Sequence, residues 1–435
     1  MSLRSFIDKL EKENKIIKIN EEVSTDFEIA NILASLDGKI VIFNNVKNSN
    51  FPVVGNVASS RELIADALGI RKEQILERLS WSTSNLKEPE IVNNGACQEV
   101  EENLDLTKLP VLKYMPKDGG KYIASAVCII KDPETGIRNS CFHRLMLLDK
   151  NHFAARIVEN RGTDTVLKKA GGELDIAICI GNSVPVLLAA ATTLPHGVDE
   201  LGMANALEET KLVKCKIIDM EVPADSEIIL EGRIIKEKVL EGPFLDITET
   251  YDRIREQPII EIKKITHRKN AMFHALLPGK GEHKLLMGMP KEPTIFNEVN
   301  KVCKCKNVLI TPGGASWLHA IVQITKQKED DGKKAIEAAF KGHSSLKHCV
   351  VVDDDIDIYD PNEIEWAIAT RVQADKNILI IKDQYGSSLD PSAYQEAGKK
   401  ALTAKAGIDA TVPFGKTDKS FKKERYMKVN LKKYL

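Results

Sequence analysis

Neither sign of charge predominates in this 435-residue chain: 62 basic side chains stand against 63 acidic ones, a net charge of −1. That balance offers nothing to nucleic acid or to an anionic membrane surface. Long apolar runs are missing too. The most apolar stretch, residues 177–194, is interrupted by Asn182, Ser183 and Pro185, which predicts a buried strand–turn–helix and not a membrane span. The opening MSLRSFIDKLEKENK is charged from its start and carries no apolar signal core, so a cytoplasmic protein is expected. Of eight cysteines only Cys303 and Cys305 sit close together. Two sulfurs without nearby partners make a poor zinc site, and all eight read as reduced thiols. No HExxH, GxSxG elbow, P-loop or dinucleotide fingerprint occurs, which removes the commonest metalloprotease, serine hydrolase and nucleotide-binding readings.

What is present supports large cores: apolar residues make up 43% of the chain, enough for two or three domains of ordinary size. Apolar spacing at Leu3, Phe6, Ile7 and Leu10 predicts a helix over 3–13, and Thr25 with Glu28 predicts a capping box opening a second helix. Strands are expected at 39–43 and 51–54, with a polar helix over 60–79. From about 120 to 310 many short β-type runs follow, among them 123–130, 152–158, 213–219, 227–230 and 259–265. A helix-prone insert at 197–212 interrupts them. This pattern predicts a mixed sheet or partly closed barrel. The last third alternates strand and helix again, with strands at 307–311, 348–352 and 378–381 and helices at 333–340 and 361–371. The expected class is α/β (α+β): an N-terminal α/β domain, 1–115, a β-rich split-barrel-like domain, 116–310, and a C-terminal α/β domain, 311–435.

The most informative stretch is Glu241-Gly242-Pro243-Phe244-Leu245-Asp246. Strict strand alternation sends residues five apart to opposite faces. A Gly-Pro bend between two acids can instead aim both into one cavity. Upstream, Asn139-Ser-Cys-Phe-His-Arg144 ends in an arginine able to pair with them, and acids coupled beside a guanidinium form a tunable proton donor and acceptor. Arg156 and Arg161-Gly162 bracket a strand end as a phosphate or cofactor clamp. Glu200 opens a helix of small residues. For each a structural alternative stands: an ion pair in a sheet core for Arg144, a dipole-favoured acid for Glu200. The run Asp353–Asp357 reads as a solvated strand end more readily than as a Mg²⁺ site. Residues 279–284, GKGEHK, are equally a substrate loop or a plain turn.

Taken together these segments resemble the UbiD family of decarboxylases, which use prenylated FMN. The resemblance runs nearly end to end. It rests on Asn139 with Arg144, on residues 195–206, on VPADSEIILEG followed by EGPFLD, on VVVDDDIDIYDPNEIEWAIATRVQ and on AKAGIDAT. It implies that the central domain holds the flavin and that the C-terminal domain drives assembly into a homo-oligomer, a dimer or hexamer. Phe142, His143, Arg144, Arg156, Ile157, Val158, Arg161 and Gly162 would grip the cofactor, with Lys405 a further phosphate contact. A divalent ion, Mn²⁺ or Mg²⁺, would join the flavin phosphate to Asn139 and Glu200, and K⁺ is a further candidate ion. Many members carry a metal-binding histidine where Asn160 stands here; an amide oxygen can still ligate. Where the family's catalytic hexapeptide often ends Gly-Glu or Gly-Asp, Leu245 precedes Asp246 here, which adds bulk and keeps the acid.

On the family model Arg144 orients the substrate carboxylate, Asp246 delivers the final proton and Glu241 relays it. The flavin supplies the electron sink that side chains lack, so a flavin prenyltransferase is implied as its source. The pattern looks most like archaeal members that convert trans-anhydromevalonate 5-phosphate to isopentenyl phosphate, with Lys280, His283 and Lys284 as donors to the phosphate. A decarboxylase of 4-hydroxybenzoate or of 3-polyprenyl-4-hydroxybenzoate is the second reading. A flavin-binding oligomeric scaffold without catalysis is the non-enzyme one.

Overall fold

The apolar stripe at the start of the chain is buried as a unit: Leu3, Phe6, Ile7 and Leu10 all face the core of helix Leu3–Lys12, whose first turn is capped by Ser2 Oγ accepting from Ser5 N at 3.1 Å. The computed structural model describes residues 1–396, 399–416, 421, 423–427 and 429–430. Compactness divides these into two units. Unit 1 comprises Met1–Pro293, Pro312–Trp317 and Leu389–Pro391, and unit 2 the remainder.

Unit 1 begins with a four-stranded sheet in the order Ile16–Ile19, Ile40–Phe43, Val53–Gly55, Phe273–Ala275. The capping box expected at Thr25 does not form. The helix starts later, at Glu28 after Phe27, because Glu28 Oε2 instead accepts from Ser24 N at 2.7 Å. The polar helix expected over 60–79 is two helices, Arg61–Leu68 and Ile75–Ser84, parted at Gly69.

The larger part of unit 1 is a nine-stranded sheet. Its order is Tyr122–Ile123, Leu145–Leu147, His152–Ala155, Arg255–His267, Ile228–Glu241, Leu174–Ile180, Val127–Lys131, Arg138–Phe142, and Val100–Glu102 pairs beside Arg255–His267. Every pairing in it is antiparallel. Its middle strands read as unbroken apolar runs because both faces are covered. Val127, Ile129, Ala177 and Cys179 enter one core, while Cys128, Ile130, Ile176, Ile178 and Ile180 enter the other. The stretch 177–194 is the expected strand–turn–helix, Leu174–Ile180 leading to Val184–Ala191. Its buried Asn182 donates to Cys179 O at 2.9 Å and accepts from Ser226 Oγ at 2.8 Å. Among the described residues no helix is long and apolar enough to cross a membrane. The eight cysteines are all unbridged.

Unit 2 is built on a five-stranded sheet, Lys304–Ile310, His319–Thr325, His348–Asp353, Leu402–Asp409, Ile378–Tyr385. Helix Asp331–Gly342 covers one face and Pro361–Arg371 the other, so Val350 and Val351, adjacent in sequence, lie in different cores. The acidic run after His348–Asp353 is an ion-paired strand end. Buried Arg371 binds Asp355 at 2.7 Å and Asp353 at 3.3 Å.

Candidate active site

The long strand Ile228–Glu241 delivers Glu241 at its end, and the chain then turns sharply. Gly242 has φ +99° and the Gly242-Pro243 bond is cis; a side chain at 242 would also approach Arg253 O to 3.1 Å. Beyond the turn a two-residue ladder pairs Phe244 with Asp252 and Leu245 with Tyr251. These two features bring three carboxylates onto Arg144. Its Nε and Nη2 donate to Glu241 Oε1 and Oε2 at 2.9 and 3.0 Å, its Nη1 to Asp246 Oδ2 at 2.9 Å, and its Nη2 also to Asp252 Oδ2 at 3.0 Å. The guanidinium lies over the Phe244 ring, 4.8 Å from its centroid, and Phe244 is itself backed by Tyr122 and Tyr114.

Burial opposes the Arg144 charge, but its acidic partners win and raise its pKa above the usual value. Burial likewise works to raise Asp252, yet Arg144 and Arg255, which binds it at 2.8 Å, leave it lowered overall. Two cations thus face three carboxylates, an excess of one acid in a largely buried cluster. Glu241 is fully buried, whereas Asp246 keeps 13% of its side chain exposed. The most accessible acid is the one able to meet a substrate. Asp252 carries no signal in the sequence, since only the short ladder opposite Phe244 brings it here.

A second polar cluster forms around the other end of the same tract. Asn139 Nδ2 donates to Glu200 Oε1 at 3.0 Å and Ser140 N to Glu200 Oε2 at 2.8 Å. Glu200 opens helix Glu200–Leu207, whose cap Asp199 is gripped by Arg138 at 2.7 Å. Glu200 is buried, and burial pushes its carboxyl up to about 7. Asn139 Oδ1 is buried with no hydrogen-bond partner. A Cβ on Gly162 would lie 2.8 Å from that oxygen. An orphaned amide oxygen beside a buried carboxylate fits a hard divalent cation whose other ligands come from a bound group. Among the described residues no cluster of three His, Cys, Asp or Glu could hold a metal alone.

His143 ties these segments together. Its Nδ1 lies 3.0 Å from Arg156 O and its Nε2 2.9 Å from Thr163 Oγ1. A carbonyl can only accept, so the ring proton sits on Nδ1. Burial lowers its pKa to about 4, so the ring is neutral. Arg156 N donates to Arg144 O at 3.1 Å and Ile157 N to Gln257 Oε1 at 2.7 Å. Phe142, His143, Arg144, Arg156, Ile157 and Gly162 are thereby joined with Asn139 and Glu200 in one region of unit 1. Val158, Asn160 and Arg161 are exposed. Asn160 has φ +58°, and its backbone N donates to Asp164 Oδ2 at 2.7 Å. Lys405 belongs to unit 2, where Nζ donates to Ser344 O at 2.6 Å and lies 5.2 Å from the Phe340 ring centroid.

The GKGEHK segment is no plain turn. Gly279 N donates to His283 Nδ1 at 3.0 Å, and Lys280 and Lys284 bind Glu249 at 3.2 and 2.5 Å. His283 is held below its usual pKa, first by burial, with the Asp246 charge opposing.

Family models match most of the chain in three segments. They describe the N-terminal, Rift-related and C-terminal domains of 3-octaprenyl-4-hydroxybenzoate carboxy-lyase, UbiD, over residues 7–83, 90–281 and 284–410. The chain is 44% identical over 426 residues to the anhydromevalonate phosphate decarboxylase of Methanothermobacter thermautotrophicus, covering 96% of this chain and 98% of that one. Against the same-named protein of Methanosarcina mazei it is 43% identical, covering 94% and 96%. Among solved structures it resembles the UbiD-class enzyme HmfF from Pelotomaculum thermopropionicum in complex with FMN, with TM-score 0.95, 38% identity and full coverage of both chains. An evolved dimeric form of that enzyme in complex with prFMN gives TM-score 0.91 and 36% identity, again over both whole chains. With family models over three consecutive segments and full-length relatives above 40% identity, this chain belongs to the UbiD family of carboxy-lyases.

Proposed function

We propose that this protein decarboxylates trans-anhydromevalonate 5-phosphate to isopentenyl phosphate and CO₂, with prenylated FMN as cofactor. The observation that carries the reading is the Arg144–Glu241–Asp246 constellation, in a chain so close to relatives named for that reaction. When bound, the flavin supplies an electron sink for the carbon that loses CO₂. The side chains do the rest. Arg144 is the cation that orients the substrate carboxylate. As its Nη1 engages that carboxylate the contact with Asp246 is given up, which frees that acid to face the substrate. Asp246, the most exposed of the three acids, delivers a proton to carbon, and Glu241 restores it. Asp252 keeps Arg144 in place throughout.

Asn139 and Glu200 would hold a Mn²⁺ or Mg²⁺ ion, which would supply positive charge to offset an anionic group of the cofactor. Asn160 is a third, weaker candidate in place of the family histidine. Phe142–Arg144, Arg156–Val158 and Arg161–Gly162 would line the flavin, whereas Lys405 is spent on Ser344 O and the Phe340 ring within unit 2. We take domains 1–115, 116–310 and 311–435 as the functional division, with a flavin prenyltransferase as cofactor source, a homo-oligomer as the assembly and the cytoplasm as the location.

Phosphate at the far end of the substrate needs cationic donors, whereas a polyprenyl chain needs an apolar channel. Lys280, His283 and Lys284, set beside the acid loop, favour the phosphate. Protein made alongside a flavin prenyltransferase should release CO₂ from the phosphorylated acid. The dephosphorylated acid should be about ten- to hundredfold poorer, the worth of a charge-assisted contact. Equal rates on the two acids, or preference for hydroxybenzoates, would reassign the substrate.

A further inference from the structure

Resting on that reading of the substrate, we propose that Glu249 is a specificity-determining residue: an internal carboxylate that neutralises the Lys280–Lys284 pair in the empty site and is displaced by the anionic tail of the substrate. Glu249 lies on the loop that also carries Asp246. Asp246 N donates to Thr250 O at 3.0 Å and Glu249 N to Asp246 O at 2.9 Å, which closes a tight turn. The turn holds Glu249 at φ +58°, in the left-handed region that a glutamate rarely adopts. From there its two carboxylate oxygens take different lysines, Oε2 from Lys280 at 3.2 Å and Oε1 from Lys284 at 2.5 Å.

The lysines are well placed for an anion and differ in burial. Lys284 is 17% exposed and Lys280 35%, while Glu249 is 45% exposed. The carboxylate is therefore the most accessible member of the trio and the one able to swing out. The loop bearing the lysines is anchored independently of Glu249. Gly279 N donates to His283 Nδ1, and Gly281 N, at the start of helix Gly281–Gly288, donates to Asp37 at 3.0 Å. Lys280 and Lys284 are thus one helical turn apart on a fixed frame, a spacing suited to one phosphate.

A displaced Glu249 has two consequences. Binding of any anion is weakened by competition, so anions that reach only one lysine are rejected. The phosphate, which can take both, is favoured, and its arrival frees the turn adjoining Asp246.

The test compares wild-type holoenzyme with Glu249→Gln on the phosphorylated and dephosphorylated acids. The glutamine keeps the volume but carries no charge and one acceptor oxygen fewer, so it competes with an anion for the lysines far less. The expected result is a three- to tenfold lower KM for the phosphorylated acid, with the change in KM and not in kcat, and no such fall for the dephosphorylated one. In the Lys280→Met/Lys284→Met background the Glu249→Gln effect should vanish. A KM for the phosphorylated acid that is unchanged or raised in Glu249→Gln would overturn the proposal and leave Glu249 a brace. If wild type turns over no phosphorylated acid, the substrate reading fails separately. Titration of both holoenzymes with inorganic phosphate then decides: tighter binding by Glu249→Gln supports displacement, and equal binding overturns it.

Discussion

Arg144 presents its donors to three carboxylates at once, and the balance among them sets what the site does. Asp246→Asn preserves volume but cannot hold the transferable proton, so turnover should fall by roughly 10²–10⁴, the usual worth of a general acid. Flavin absorbance of the purified variant should be unchanged. Asp252→Asn has a different signature. Removing one of the three carboxylates that hold Arg144 loosens its placement, so KM for the substrate acid should rise while kcat is largely kept. His143 gives a pH effect. Its folded pKa of about 4 lies below the ordinary 6.5, so between those values only the unfolded chain binds the proton. Stability is therefore complete above pH 6.5 and is lost as pH falls toward 4, by on the order of 3 kcal/mol. Glu200, raised to about 7, acts in the opposite sense over part of that range, so urea unfolding of the wild type from pH 7 to 4 should show the balance of the two. His143→Gln should lose less stability than the wild type between the same limits. His319 in unit 2, also lowered to about 4 by burial, leaves a residual slope in the variant.

Elements decide whether these residues meet. Periodicity located most of them: helix Pro361–Arg371 falls where a proline at the first position and an apolar stripe put it. The strand–turn–helix at 174–191 follows from an apolar run broken by Asn182, Ser183 and Pro185. What failed was local pairing. Glu28 found Ser24 and not Thr25 as its partner, since a capping box competes with every other nearby N–H. The strand expected over 227–230 runs fourteen residues to Glu241. Its outer half alternates exposed lysines and glutamates, so apolarity alone stops the count too early. At the turn from residue 161 into helix Gly162–Lys169, the close approach to Asn139 makes a specific prediction. Gly162→Ala should force Asn139 away, so metal content by elemental analysis and bound flavin should fall together, with far-ultraviolet dichroism unchanged.

At the scale of the whole molecule, unit 2 carries an outward apolar row at its sheet edge. Strand Ile378–Tyr385 turns Leu379 and Ile381 toward the core and leaves Ile380 64% and Tyr385 62% exposed. Edge strands of this kind pair or aggregate unless covered, which supports an assembled protein. Ile380→Glu should lower the mass measured by light scattering while leaving the fold of each chain intact.

Composition and alternation determined on their own that this is an α/β protein, and motif order, through the resemblance to the UbiD family, picked out Arg144, Glu241, Asp246, Asn139 and Glu200 as candidates for chemical roles. They could do so because burial periodicity and turn residues are local properties of the chain. Only the tertiary structure decided that Asp252 is a third partner of Arg144, that Asn139 Oδ1 is left unpaired beside Glu200, and that Glu249 sits between Lys280 and Lys284. Each of those contacts joins residues brought together by a ladder, a tight turn or the packing of distant segments, and such meetings depend on the path of the backbone through space, which no local spacing encodes.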